Sequence, residues 1–285
     1  MQRILVAGGT GSLGRHVIGQ LKEQGYWIRA LVRRPERLGA VRGLVDEVVP
    51  GDLTKPKTLT GVCDGMDLVF SSAGAALTTS LRDRKSFAEV DGQGNLNLLD
   101  EARRAGIGRF VYVSLCGAER LAGVEYADAH ESVVRALAAS GLDHTVVRPT
   151  GFFSAFAEFL KIAKQGFGLV IGSGECRTNP IHEAELAAVC VQACAGRERE
   201  VLVGGPASYT RRQVVELAFA ALGKRPLILD VAPQAFASFV APLRYLNPRL
   251  HALMSFGAAV SQIEVVAPSY GQRDLKQYYE ELVRG

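Results

Sequence analysis

Ile4-Leu5-Val6-Ala7, running directly into Gly8-Gly9-Thr10-Gly11-Ser12-Leu13-Gly14, is the stretch that decides the fold. An apolar run this short reads as a strand buried on both faces. After Gly14, Val17, Ile18 and Leu21 recur on one face, the pattern of an amphipathic helix. Strand, glycine-rich turn and helix in that order are the opening unit of a doubly wound sheet. The glycines satisfy both G-x-x-G-x-x-G and, counted from Gly9, G-x-G-x-x-G.

Outward from that stretch, short apolar runs alternate with helical patterns as far as Pro149. Strands are expected at residues 4–7, 27–32, 45–49, 68–71, 110–114 and 145–148. Leu96, Leu98, Leu99 and Ala102 mark a helix that ends at Ala105-Gly106, and Val133, Val134 and Leu137 one that ends at Ser140-Gly141. The expected fold is α/β, a Rossmann-type doubly wound parallel sheet with helices on both faces. Beyond Arg148-Pro149 the periodicity becomes irregular, and Gly, Pro and aromatic residues cluster at Gly151-Phe152-Phe153, at 166–174 and at Gly204-Gly205-Pro206. Residues 1–150 therefore read as the sheet domain and 151–285 as a smaller substrate lobe, interleaved with the first into one compact unit.

The chain has 285 residues, 48% of them hydrophobic and 22% charged, a globular composition without low-complexity tracts or repeats. Its charge-free apolar stretches, such as 231–243, are shorter than the roughly 18 residues of a membrane helix. No signal-peptide pattern precedes Arg3, so a cytoplasmic location is expected, without membrane insertion. Five cysteines, Cys63, Cys116, Cys176, Cys190 and Cys194, form no C-x-x-C pair and read as reduced structural thiols, with no metal site. The net charge is +4, and Arg33, Arg34, Arg37 and Arg42 supply a basic cluster. Without interleaved aromatics or a helix-turn-helix pattern, that cluster fits one bound phosphate better than nucleic acid.

The glycine loop lets backbone N–H groups approach a pyrophosphate at the positive end of the following helix. Gly8, Thr10, Gly11, Ser12, Leu13 and Gly14 are thus candidate contacts to a dinucleotide. An NAD-type site usually places Asp or Glu after the second strand to accept from the ribose 2′-hydroxyl. Here Arg33 and Arg34 stand there, suited to a 2′-phosphate, and the expected cofactor is NADP(H) rather than NAD(H). The alternative is that both arginines only solvate a loop before Pro35. Asp52-Leu53 and Ser72-Ala73-Gly74 follow the third and fourth strands, where strand ends meet the ligand crevice, and Asp52 is a candidate acceptor from the adenine amino group.

With these residues in place, the chain resembles the atypical short-chain dehydrogenase/reductase superfamily, in its NmrA-like branch of NADPH-dependent reductases and non-enzymatic redox sensors. The likeness is carried by Gly8 to Gly14, Arg33, Asp52-Leu53, Arg109-Phe110-Val111-Tyr112-Val113-Ser114, Arg148-Pro149 and Asn179-Pro180-Ile181-His182. The resemblance implies a catalytic Tyr with a Lys four residues later. Tyr126 is instead followed by His130, which lacks a constant ammonium charge. The family's serine falls on Leu115, with Ser114 one residue early, and Asp91 stands where many relatives carry Asn. Tyr126, His130 and Ser114 are the candidate catalytic residues.

Phe152, Phe153, Phe156 and Phe159 follow the sixth strand at helical spacing, where a substrate would meet the cofactor. Phe152, Phe153 and His182 are the candidate substrate residues, and an apolar lining there suits a flat aromatic or quinone-like molecule. Three functions follow in order. They are an NADPH-dependent oxidoreductase of a small apolar carbonyl or quinone, a non-enzymatic NADP(H)-sensing or assembly protein, and a sugar-nucleotide epimerase or dehydratase.

Overall fold

The structure is a computed structural model that describes residues 1–77 and 85–284. The first half contributes β1 (Arg3–Ala7), α1 (Ser12–Glu23), β2 (Trp27–Val32), β3 (Glu47–Pro50), β4 (Leu68–Ser71), α2 (Gly94–Arg104), β5 (Arg109–Val113), α3 (Glu125–Ala139) and β6 (Asp143–Pro149). The second half contributes α4 (Phe153–Lys164), β7 (Gly168–Ile171), β8 (Arg177–Thr178), α5 (Glu183–Ala195), β9 (Glu200–Val203), β10 (Tyr209–Thr210), α6 (Arg211–Ala221) and β11 (Ile228–Val231). Four helices complete it: α7 (Pro233–Val240), α8 (Leu243–Leu246), α9 (Pro248–Val260) and α10 (Leu275–Arg284).

Among the described residues, seven parallel strands form one sheet in the order β3-β2-β1-β4-β5-β6-β9. Ile4 pairs with Ile28 on one side and Leu68 on the other, so β1 lies in the middle of the sheet as its uninterrupted apolarity predicts. One face is covered by α1 and α5, whose Val17, Ile18, Leu21, Leu186 and Val191 join Ile4 and Val6 in a common core. The other face is covered by Leu98, Leu99, Val133 and Leu137, packed against Leu5, Val69, Phe110 and Tyr112. The doubly wound Rossmann-type sheet expected from the sequence is what forms.

Several strand ends differ from the sequence reading by one or two residues, two of them for evident reasons. β3 begins at Glu47 rather than at 45, because Val45 closes the 3-10 stretch Pro35–Leu44 and the Asp46 carboxylate caps the Ile28 N–H. β5 ends at Val113, with Ser114 held just beyond it by its N–H to the Val147 carbonyl. A π-helical segment, Ala88–Gln93, leads into α2 and carries Asp91.

In the second half, β9 extends the main sheet by pairing with β6, and α5 lies beside α1. The rest packs on a separate core in which Phe153, Phe156 and Leu160 of α4 meet Val214 and Phe219 of α6 and Tyr279 of α10. β7 pairs with β11 and β8 with β10. The last helices form a layer of their own: α7 and α8 pack on α9, and α9 packs on α3.

Candidate dinucleotide and reaction site

The glycine loop is shaped by two close approaches. Gly8 has φ +91°, and a Cβ on it would sit 2.7 Å from the Ser72 carbonyl carbon. A Cβ on Gly14 would sit 2.2 Å from the Gly8 oxygen, so α1 can start this close to the loop only without a side chain. At Gly11 a Cβ would meet nothing nearer than the Gly8 oxygen at 3.4 Å, so the space above this residue is open. Gly11 precedes α1 without a side-chain cap, and the first turn carries no acidic residue. The first amides of α1 thus face that opening with the helix's positive end, the environment a pyrophosphate requires. Across the crevice the Ser72 hydroxyl is buried and has no hydrogen-bond partner among the described residues. An open glycine, an uncapped helix and an orphaned hydroxyl fit a bound dinucleotide.

At the adenosine end, Arg33 and Arg34 are exposed directly after β2. Arg15, which the motif reading passed over, joins them. Its Nε donates to the Thr10 carbonyl at 3.3 Å and its Nη2 to the Arg37 carbonyl at 2.8 Å, so its guanidinium spans the glycine loop and the segment after β2. The position immediately after Gly14 is the signal that could have found it. Asp52 accepts from the Thr54 N–H at 3.0 Å and hydroxyl at 2.8 Å, and from Lys85 Nζ at 3.0 Å. Burial works to raise its pKa, but the Lys85 and Thr54 bonds prevail and hold it at about 2. Its oxygens are therefore already engaged by this chain. Leu53 packs against Gly94, and its carbonyl accepts from Asn97 Nδ2 at 2.8 Å.

At the other end the structure brings Tyr126 and His130 together, their rings 4.8 Å apart edge to face. His130 is buried, with Nδ1 2.8 Å from the Tyr112 hydroxyl and Nε2 3.6 Å from Asp91 Oδ1. At that separation Nε2 has no hydrogen-bond partner among the described residues, and which atom donates between Nδ1 and the Tyr112 hydroxyl depends on the tautomer. Asp91 is 2% exposed, accepts from the Ala75 N–H at 3.1 Å, and lies under Gly74, where a Cβ would come within 2.4 Å of Oδ1. Burial and then the Asp91 charge push the Tyr126 phenol well above its usual pKa, and the same two causes raise Tyr112. This inverts the lysine arrangement, in which a cation lowers the phenol. Phe87 and Phe256 close over Tyr126 at 5.0 and 4.6 Å between rings.

Ser114 is not brought into this group. Its buried hydroxyl lies 3.5 Å from Arg148 Nη1, in a network where Arg148 also bonds Glu131 and Glu200 at 2.5 Å. Phe153 is 1% exposed and belongs to the core of the second half, so it offers no surface to a substrate, whereas Phe152 is only partly buried. His182 is the N-cap of α5, its Nδ1 accepting from the Ala184 N–H at 3.0 Å. Burial first, then Arg273, lowers its pKa, which keeps that nitrogen free to accept. Asp91, Tyr112 and Phe256 were the partners sequence reasoning missed; only the Asp-for-Asn departure at 91 gave a signal.

Residues 8–196 match the family described as NAD(P)H-binding. Over 53% of its length the chain is 34% identical to the photosystem II assembly factor Ycf39 of Synechocystis, spanning 45% of that protein. It is 27% identical to the chloroplastic divinyl chlorophyllide a 8-vinyl-reductase of Zea mays, over 99% of this chain and 79% of that one. The fold superposes on an NADPH-dependent quinone oxidoreductase of Escherichia coli, crystallised with NADPH, with TM-score 0.75, 21% identity, and coverage of 98% of this chain and 99% of that chain. That likeness concerns the fold. It agrees with the NmrA-like, atypical short-chain dehydrogenase/reductase grouping carried by the motifs.

Proposed function

The chain belongs to the NAD(P)H-binding family, and from that premise we propose that it is an NADPH-dependent reductase of a small, apolar, electron-poor acceptor of the quinone type. One observation carries the choice of acceptor: the tyrosine stands beside a buried carboxylate and a histidine, where a carbonyl reductase needs a lysine. Reducing an aldehyde or ketone develops a strongly basic alkoxide that needs a proton from a positioned acid. Tyr126, with its phenol raised, is poorly suited to give one. Reducing a quinone yields a delocalised phenolate of far lower basicity, which takes its proton from water.

When bound, the reduced dinucleotide supplies hydride; the other requirements fall on the chain's own residues. The loop from Gly8 to Gly14 and the first turn of α1 bind the pyrophosphate. Arg33, Arg34 and Arg15 receive a 2′-phosphate, for which the end of β2 offers cations where an NAD site offers a carboxylate. Ser72, Ala73 and Gly74 form the floor of the crevice above Asp91, and Tyr126 with Phe87 and Phe256 supplies an apolar wall beside it. The sheet domain, completed by α5 and β9, holds the dinucleotide, and the rest of the second half supplies the acceptor side.

The test is NADPH oxidation by the purified protein against water-soluble quinones, aldehydes and ketones. Turnover of quinones with aldehydes left unreduced is expected. Preferential aldehyde turnover would refute the acceptor assignment. NADPH binding without any turnover would favour a dinucleotide-binding assembly or regulatory protein, a reading supported by the same Tyr126 and His130 arrangement and by the likeness to the assembly factor. Sugar-nucleotide epimerisation depends on the Tyr-Lys pair that Tyr126 and His130 do not provide.

A further inference from the structure

We propose that α7 and α8 dock this protein peripherally on an anionic lipid surface, with α9 linking that surface to the reaction site. Phe239 on α7 is 76% exposed, and Tyr245 and Leu246 on α8 are 76% and 80% exposed. Single exposed apolar residues are ordinary, but three large ones on consecutive short helices form a surface that water leaves unsatisfied. From Val231 to Ile263 the sequence contains no Asp or Glu, and its exposed cation is Arg244, Arg249 being buried. Arg244 is exposed beside the apolar tip, its guanidinium 4.6 Å from the centre of the Tyr245 ring.

This charge pattern selects the occupant. An acid-free apolar tip with an arginine on an aromatic ring has the composition of an interfacial helix, in which Phe, Tyr and Leu enter the headgroup boundary and the cation meets lipid phosphate. The contact is peripheral, because no helix among the described residues is long and apolar enough to cross a membrane. With so few anchors, binding is reversible and weakens as salt rises.

The route from the tip to the site runs along α9. Asn247 caps this helix by accepting from the Leu250 N–H at 3.0 Å, directly after Leu246. The Arg249 guanidinium then donates to the carbonyls of Ala76 and Lys85 at 2.6 and 3.2 Å, and farther along Phe256 packs on Tyr126. A single helix therefore begins at the exposed tip and forms part of the wall beside the candidate reaction residues. An apolar acceptor dissolved in the bilayer would be drawn from the surface on which this helix stands. The acceptor step rests on the reductase reading; the docking does not.

The test is sedimentation of the full chain with vesicles of phosphatidylcholine mixed with phosphatidylglycerol, against phosphatidylcholine alone, at low and high salt. Binding to the anionic vesicles that salt weakens is expected. Phe239→Ser, Tyr245→Ser and Leu246→Ser combined should reduce it by about tenfold or more, and Arg244→Glu by several-fold. Both variants should bind NADPH as the parent does and keep its rate with a water-soluble quinone, while losing rate with a long-chain quinone held in the vesicles. Equal sedimentation with both lipids, or full binding by the triple variant, would overturn the docking. A concentration-dependent dimer abolished by the triple variant would also overturn it, by making a second copy the occupant. Lipid binding without quinone turnover would support the docking and refute the reductase reading.

Discussion

At the residue scale, cations and one buried carboxylate set what the site can do. Arg33, Arg34 and Arg15 surround the place where an NAD site would need an acceptor, so NADPH should bind at least about tenfold more tightly than NADH, worth roughly 1.4 kcal/mol. Arg33→Ala and Arg15→Ala, measured by calorimetry with both dinucleotides, should each erode that ratio; an unchanged preference would leave the arginines as loop solvation. Near the reaction site, Asp91 lies 3.6 Å from His130 Nε2 and its charge adds to the burial that raises Tyr126. Tyr126→Phe should therefore lower single-turnover hydride transfer at saturating NADPH by less than the roughly 100-fold expected for an essential general acid. A loss of several thousandfold would mean that His130 does the work of the missing lysine. The departure at His130 was legible only through the family resemblance, which implies a lysine four residues after Tyr126. Asp91 and Tyr112 were not legible as its partners, because the π-helical segment and β5 meet α3 only in the folded sheet.

At the scale of elements, the glycine loop was readable because its chemistry is local: a strand, glycines at fixed spacing and a helix leave few other structures. The structure separates glycines that the motif treats alike. Gly14→Ala puts a methyl 2.2 Å from the Gly8 oxygen and should lower the melting temperature markedly. Gly11→Val, facing open space, should abolish NADPH binding while circular dichroism stays native; native affinity in that variant would exclude the loop as the phosphate cradle. The segment after β3 has a structural role that spacing did not show. Asp52, the candidate acceptor from adenine, also ties that segment to Lys85 in an ion pair at 3.0 Å. A carboxyl held at about 2 in the folded state and near 3.9 when unfolded stabilises above the higher value, and the gain is lost as pH falls through the lower. Asp52→Asn should therefore cost about 1–2 kcal/mol in urea unfolding at neutral pH. The gap from the parent should close as pH drops from about 4 to about 2.

For the molecule as a whole, the sheet domain was legible to Pro149 because each strand and helix there carries its own period. The second half hid its contribution to the same sheet for physical reasons. α5 is apolar around much of its circumference, with Leu186, Ala187, Val189, Cys190, Val191, Ala193 and Cys194 all buried, so it shows no amphipathic stripe. β9, Glu200–Val203, lies at the edge of the sheet with Glu200 and Leu202 exposed, so it carries no buried apolar run to announce it. These two elements nevertheless complete the first half: α5 shares a core with Val17, Ile18 and Leu21 of α1, and β9 closes the edge of β6. A fragment ending at residue 150 would expose that face of α1 and leave β6 unpaired on one side. At roughly 1.5–3 kcal/mol for each large apolar side chain returned to water, the loss is on the order of 5 kcal/mol, a large share of the roughly 5–15 kcal/mol that holds a domain together. The fragment should give no cooperative melt and no NADPH binding, whereas the full chain should melt in one transition. Saturating NADPH, at about a hundredfold excess over Kd, adds about 2.7 kcal/mol and should raise that single transition by roughly 5–10 °C. Scanning calorimetry of both proteins decides it: a cooperative, NADPH-shifted melt from the fragment would mean that α5 and β9 merely decorate a domain already complete at Pro149.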